Sequence, residues 1–382
     1  MTRAVILIVD ALGFELACAL PGFGAVVPER RRVETVLGFS SGALPTLFSG
    51  RLPHEHGRWM MYRRARRATP FAGFRALGLL PQRIQRSWKF GRWLHRWVER
   101  RGVRGYFQLY EVPRPLLESF DLAERRDLFA PGGLEVDTLW DSLARRRLPH
   151  RVWNWRTPEA AALAEAQAAL ANGSERVVVV YTADLDAALH REGSSGATVR
   201  ERLHTYERWL AGLAADARAR GDSLWLYLLS DHGMVNVTRH VDVMAAVDRL
   251  AVRAPHDFLA FYDSTMARFW WRTPGARDAV RAALGPPLGG HWLTDEELTA
   301  GGCRFERREY GEDLFLLDPG VLMVPSFMGS HPVAAMHGYA PSHPDMAALF
   351  ASNRPLPERL RHLTDVRGFF ETELDALASE AS

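Results

Sequence analysis

Three short apolar runs, at residues 5–9, 177–180 within an expected strand 176–181, and 224–229, constrain the fold of this chain more than any other feature. Each is continuously apolar instead of alternating, the pattern of a strand buried on both faces of a parallel sheet. Helical patterns separate them. Residues 160–171 are rich in Ala and end at Asn172-Gly173, while residues 197–218 carry Val199, Leu203, Tyr206, Trp209 and Leu213 at helical spacing. Strands alternating with helices predict the α/β class, doubly wound about a mostly parallel central sheet.

Polar residues with metal-ligand chemistry follow these strands. Asp10 closes the first run, Asp186 and His190 follow the second one helical turn apart, and Asp231-His232-Gly233 closes the third. Ser40 precedes a helix start with Pro45 expected in its first turn, and His337 stands in a largely apolar stretch. Taken singly, each has an ordinary alternative: a helix-start aspartate, an N-cap with a surface histidine, a capping serine, a structural histidine. Asp184 is a competing carboxylate, on another helical face from Asp186. Taken together, they sit where open α/β sheets build sites, outside the carboxyl ends of the strands. Carboxylates and imidazoles suit a divalent ion of the zinc kind. A serine at a helix N-terminus lies where partial positive charge favours an alkoxide and a phosphate. That combination points to metal-assisted displacement at phosphorus through a covalent phosphoserine.

In order along the chain these pieces resemble the alkaline phosphatase superfamily, in its type I phosphodiesterase/nucleotide pyrophosphatase branch. The stretch from Ser40 through Thr46, Ser49-Gly50, Pro53 and His56-Gly57 carries the resemblance, together with Asp186…His190 and Asp231-His232. The family pattern is a nucleophilic Thr or Ser, a helix, then Thr-Gly, Pro and His-Gly; counting back from Gly50 selects Ser40 over Ser41. The resemblance implies an alkaline phosphatase-like fold and two divalent ions, usually zinc and in some branches manganese. One ion would be held by Asp10, Ser40, Asp231 and His232, and the other by Asp186, His190 and His337. The expected activity is phosphoric ester hydrolysis, a phosphodiesterase first. A phosphomonoesterase, a phosphotransferase on a lipid-linked or sugar phosphate, and a catalytically silent metal- or lipid-binding module are the alternatives. Ser41-Gly42-Ala43 stands where family diesterases usually place Phe-Pro-Asn, so one phosphoryl oxygen needs another donor, a backbone N–H or an arginine. The sulfatase signature is absent.

Two segments interrupt the α/β pattern within a single catalytic domain over residues 1–382. Residues 58–130 read as a basic aromatic cap over or beside the site. Its first part, 58–104, holds fourteen Arg or Lys against one acid, Glu99, interleaved with Trp59, Trp88, Trp93 and Trp97. The tryptophans are expected to be partly buried. Docking on an anionic membrane is the alternative, with Trp88, Trp93, Leu94 and Trp97 set among Arg86, Lys89, Arg92 and Arg96. Residues 241–320 read as a small α+β insertion. Net charge is +3 and no RNA-binding motif is visible, so a nucleic-acid partner is not expected. Cys18 and Cys303 are the two cysteines, far apart, which excludes a disulfide framework and suits a reducing compartment. The first ten residues are expected to be a retained buried strand, because Asp10 interrupts them, and the expected location is the cytoplasm with peripheral membrane contact as the alternative.

Overall fold

The computed structural model describes residues 2–19, 22–66, 68–85 and 87–380, and Arg86 therefore lies outside the described residues. A six-stranded sheet is assembled from strands spread between Thr2 and Ser352. Its strands are β1 (Thr2–Val9), β2 (Glu29–Val33), β3 (His150–Trp153), β4 (Val177–Thr182), β5 (Ser223–Leu229) and β6 (Ala348–Ser352). The spatial order is β2-β6-β5-β1-β4-β3. β1 runs parallel to both β4 and β5, β3 is parallel to β4, and β6 alone is antiparallel to its neighbours. This is the mostly parallel, doubly wound sheet that the apolar runs predict.

Among the helices that cover it are α1 (Ser40–Ser49), α2 (Glu159–Asn172), α3 (Asp184–Glu192), α4 (Ala197–Arg220) and α5 (Leu363–Ser379). Ala162, Ala166 and Leu170 of α2, with Leu203, Tyr206 and Leu210 of α4, pack on Val5, Leu7, Val9, Val178 and Val180. On the other side Phe369 and Phe370 of α5 meet Tyr227 and Phe350 edge-on or tilted, with ring centroids 5.2–5.8 Å apart. Burying each such aliphatic or aromatic side chain contributes about 1.5–3 kcal/mol, so the continuous apolar runs are themselves the sheet's stabilisation. Pro45 departs from expectation. It is the sixth residue of α1 and lies in the second turn.

The chain forms two compact units. The first runs up to Leu52 and includes Phe129–Asn236 and the chain from Val333; the second comprises Pro53–Leu128 and Val237–Pro332. The second is built on an antiparallel sheet ordered Phe258–Tyr262, Met266–Trp271, Asp313–Leu317 and Gly290–Trp292. Tyr62 stacks on Phe261 at 5.0 Å and Phe120 meets Phe261 edge-on at 5.0 Å. The two interrupting segments thus share one apolar core. Within the basic segment, Trp59 is buried and Trp97 half-buried, but Trp88 and Trp93 are exposed, against the expectation for them.

Candidate metal centre

Strand register assembles the site. Ile8 of β1 lies opposite Leu229 of β5, so the residues two steps further on, Asp10 and Asp231, reach the same sheet edge. His232 follows directly, and the chain then passes a crowded point at Gly233. A Cβ there would lie 2.0 Å from the carbonyl oxygen of Asp345, so only glycine fits. Asp186 and His190 occupy successive turns of α3, which starts just after β4, and His337 follows a short strand at Ala335–Met336. All seven residues named from the sequence are brought together.

They form two trios, Asp10/Asp231/His232 and Asp186/His190/His337, and within each trio the ligand atoms lie within 4.8 Å of one another. His232 Nε2 is 3.4 Å from Asp10 Oδ1 and 3.3 Å from Asp231 Oδ2. Asp186 Oδ1 is 3.2 Å from His190 Nε2 and 3.6 Å from His337 Nε2. The His232 and His337 rings stack with centroids 4.0 Å apart, which joins the trios into one cluster. Ser40 Oγ lies 3.0 Å from His232 Nε2 and 3.4 Å from Asp10 Oδ1. The N-cap of α1 is Phe39, and no side chain caps it, so the Ser40 hydroxyl is turned to the cluster and not to capping.

The hydrogen bonds around the cluster prepare it for cations. His190 Nδ1 lies 2.8 Å from the Ala335 carbonyl and His232 Nδ1 2.9 Å from that of Gly233. A carbonyl only accepts, so each Nδ1 carries the proton and each neutral ring turns a lone pair at Nε2 toward the carboxylates. Lone pairs facing each other at such distances repel unless a cation lies among them. Asp231 Oδ1 accepts from the amides of Ala11 and His232, while its buried Oδ2, like Asp186 Oδ1 and His337 Nδ1, finds no donor or acceptor. Unsatisfied buried polar atoms are costly, and an unsatisfied carboxylate oxygen in each trio fits cation binding.

Charge tells the same story. Burial first, and then the Asp231 and Asp186 charges, hold the Asp10 carboxyl well above the usual carboxylate range, despite hydrogen bonds from Tyr181 and Ser40. Burial alone would also raise Asp186, but without cations a proton on the facing His190 ring, and then the charges of His337 and His232, bring it down to about 2. Burial, reinforced by His232, pushes His337 well below the usual histidine range. Burial disfavours the His190 cation too, yet Asp186 outweighs it and raises that ring. Without cations, neighbouring buried carboxylates cannot all ionise. The donor set of carboxylates, imidazoles and a hydroxyl fits divalent ions of the zinc class.

Two supporting residues carry no sequence signal. Tyr181 donates its hydroxyl to Asp10 Oδ2 at 2.5 Å, and Thr35 Oγ1 donates to the Asp231 carbonyl at 2.7 Å. A tyrosine inside a β-branched run reads as core, and only the register reveals its task. Asp184 turns away to Arg202, 3.3 Å distant. The amides of Gly42 and Ala43 are occupied by the Phe39 carbonyl, so neither supplies the donor that the missing asparagine would.

The family model for type I phosphodiesterase/nucleotide pyrophosphatase matches residues 5–287. No curated protein sequence gives a match. Among solved structures, the chain is similar to murine ectonucleotide pyrophosphatase/phosphodiesterase 5, in an inactive threonine-to-alanine form in complex with AMP. That likeness has 14% identity and a TM-score of 0.66 over 99% of this chain and 95% of that one. The human ectonucleotide pyrophosphatase/phosphodiesterase 5 gives 13% identity and a TM-score of 0.67 over 98% and 95%. At such identities the likeness shows the fold, of the alkaline phosphatase type. With the family model spanning most of the sequence, the chain belongs to the type I phosphodiesterase/nucleotide pyrophosphatase family and is a metal-dependent phosphodiesterase.

Proposed function

We propose that the chain hydrolyses phosphodiesters of the nucleotide kind in two displacements, with Ser40 as nucleophile and a phosphoserine between them. The observation that carries this is the Ser40 hydroxyl, uncommitted to capping and 3.0 Å from His232 Nε2 beside Asp10. Asp10, Ser40, Asp231 and His232 would hold one ion, and Asp186, His190 and His337 a second, with zinc the better match to the donors and manganese the alternative. Bound there, divalent ions would lower the pKa of the serine hydroxyl and neutralise phosphate charge.

In the first displacement Ser40 Oγ gives up its proton and bonds to phosphorus as the bond to the leaving oxygen breaks, and the departing alcohol takes up a proton by way of solvent. In the second, water adds to phosphorus, the bond to Oγ breaks, and the serine regains its proton. The position of Ser40 at the start of α1 adds the helix's partial positive charge to the anionic phosphoryl group. His190 and His232, each fixed at Nδ1 by a carbonyl, keep their rings oriented through both steps. The AMP bound in the murine structure supports a nucleotide-like substrate.

A nitrophenyl phosphodiester assay, with metal content measured on the same samples, tests the reading. Ser40→Ala is expected to lose turnover while folding normally, and Ser41→Ala to keep most of it, since either loss costs the helix at most about 1 kcal/mol. The reverse pattern would place the nucleophile at Ser41.

A further inference from the structure

Among the described residues, large apolar side chains are exposed in one stretch of sequence only. They are Leu79 at 89%, Ile84 at 44%, Trp88 at 65%, Trp93 at 51% and Tyr106 at 36%, all between positions 79 and 106. Four of the five cluster on and just before the helix Trp88–Arg100. Its inward side is settled: Leu94 and Val98 are buried in the core of the second unit, and Trp97 packs on Phe74 with centroids 5.0 Å apart. The outward side carries Lys89, Arg92, Arg96 and Arg100, all exposed, with Trp88 and Trp93 at its two edges. At 100° per residue these cations fall within one face. None of the four forms an ion pair among the described residues; Arg92 instead lies over the Trp88 ring, 5.4 Å from its centroid. The helix's one acid, Glu99, is paired with His95 at 3.6 Å. From 75 to 104 the sequence holds nine Arg or Lys against that single acid.

We infer that this face docks on an anionic lipid surface. Exposed arginines and lysine meet the headgroup phosphates, and two indoles at the edges of the helix suit the boundary between headgroup and acyl chain. The aliphatic residues decide between anions. Leu79 and Ile84 gain nothing from stacking on nucleobases, which rewards aromatic and guanidinium planes, whereas they gain from leaving water for the acyl region. A cationic helix face edged by two indoles, with exposed aliphatic side chains just before it in sequence, is complementary to an anionic membrane.

The inference does not depend on the catalytic reading, because binding is measured without substrate. The full chain is sedimented with phosphatidylcholine vesicles, with or without 30% phosphatidylglycerol as the probe, at 50 mM and 500 mM salt. Binding is expected only to the anionic vesicles and only at low salt. Lys89→Gln with Arg92→Gln and Arg96→Gln should weaken it by about a hundredfold, at roughly fivefold per cation removed. Leu79→Ser with Ile84→Ser and Trp93→Ser should weaken it by about tenfold or more. These positions are exposed, so both variants should keep the wild-type melting temperature. No sedimentation with anionic vesicles at low salt overturns the proposal. So does an aliphatic variant that binds them undiminished, or tighter binding to a single-stranded oligonucleotide than to vesicles at the same salt.

Discussion

Tyr181 shows how a single residue serves the site without belonging to a motif. Its hydroxyl fixes one oxygen of Asp10, leaving the other toward Ser40 and His232. Outer hydrogen bonds of this kind orient ligands, and their loss typically costs about 10- to 100-fold in metal affinity. Tyr181→Phe keeps the ring and removes only the donor. Chelator competition should therefore show affinity falling by about 10- to 100-fold while the melting temperature of the metal-free protein stays close to wild type. Unchanged affinity would mean that the Asp231 and His232 set fixes Asp10 by itself. His337 is the reverse case at this scale. Its surroundings in sequence read as apolar core, yet it stacks on His232 and faces Asp186.

At the scale of elements, the antiparallel sheet of the second unit is locked by a fully buried arginine. Arg268, on Met266–Trp271, donates from Nε to Asp263 Oδ2 at 2.7 Å, and from Nη1 to the carbonyls of Tyr62 at 2.8 Å and Tyr310 at 3.2 Å. It therefore ties this strand to the first of the two interrupting segments. Removing one partner of a buried pair leaves an uncompensated charge, which costs about 3–5 kcal/mol. Arg268→Ala should lower unfolding free energy by that amount in urea titrations, and Arg268→Met with Asp263→Leu by clearly less. Equal losses would show that the carbonyl bonds, and not the ion pair, hold the strands. The sequence places this strand within a small α+β insertion over 241–320, but nothing local to it marks Arg268 as buried. Period and composition carry no record of which strand another segment will lie against.

For the whole molecule, pH should report the buried His56. Burial first, and then the Arg58 charge, lower its pKa from 6.5 to about 3. The unfolded chain binds this proton below about pH 6.5 and the folded chain only near pH 3. The stability His56 contributes is therefore full above pH 6.5 and is lost as pH falls toward 3. One proton corresponds to about 1.4 kcal/mol per pH unit. Urea unfolding at pH 7, 5.5 and 4.5 should show wild type losing stability faster than His56→Gln by up to that slope. Parallel losses would refute the depressed pKa.

The α/β class, the three central strands, the helices between them and the identities of all seven clustered residues were legible in the sequence. The reason is that apolar continuity, helical period and a polar residue at a strand end are local properties of the chain. Locality also explains the misplacements: Pro45 sits a turn deeper in α1, because a serine pair before a proline does not mark the first residue of a helix. Tertiary structure alone decided that Tyr181 serves Asp10, that two distant interruptions bury one core, and that Trp88 and Trp93 face outward. Each of these depends on the crossing of segments far apart in sequence, and on which side of an amphipathic helix its neighbours happen to cover. Strand register and burial set those pairings, and neither is written in any one stretch of residues.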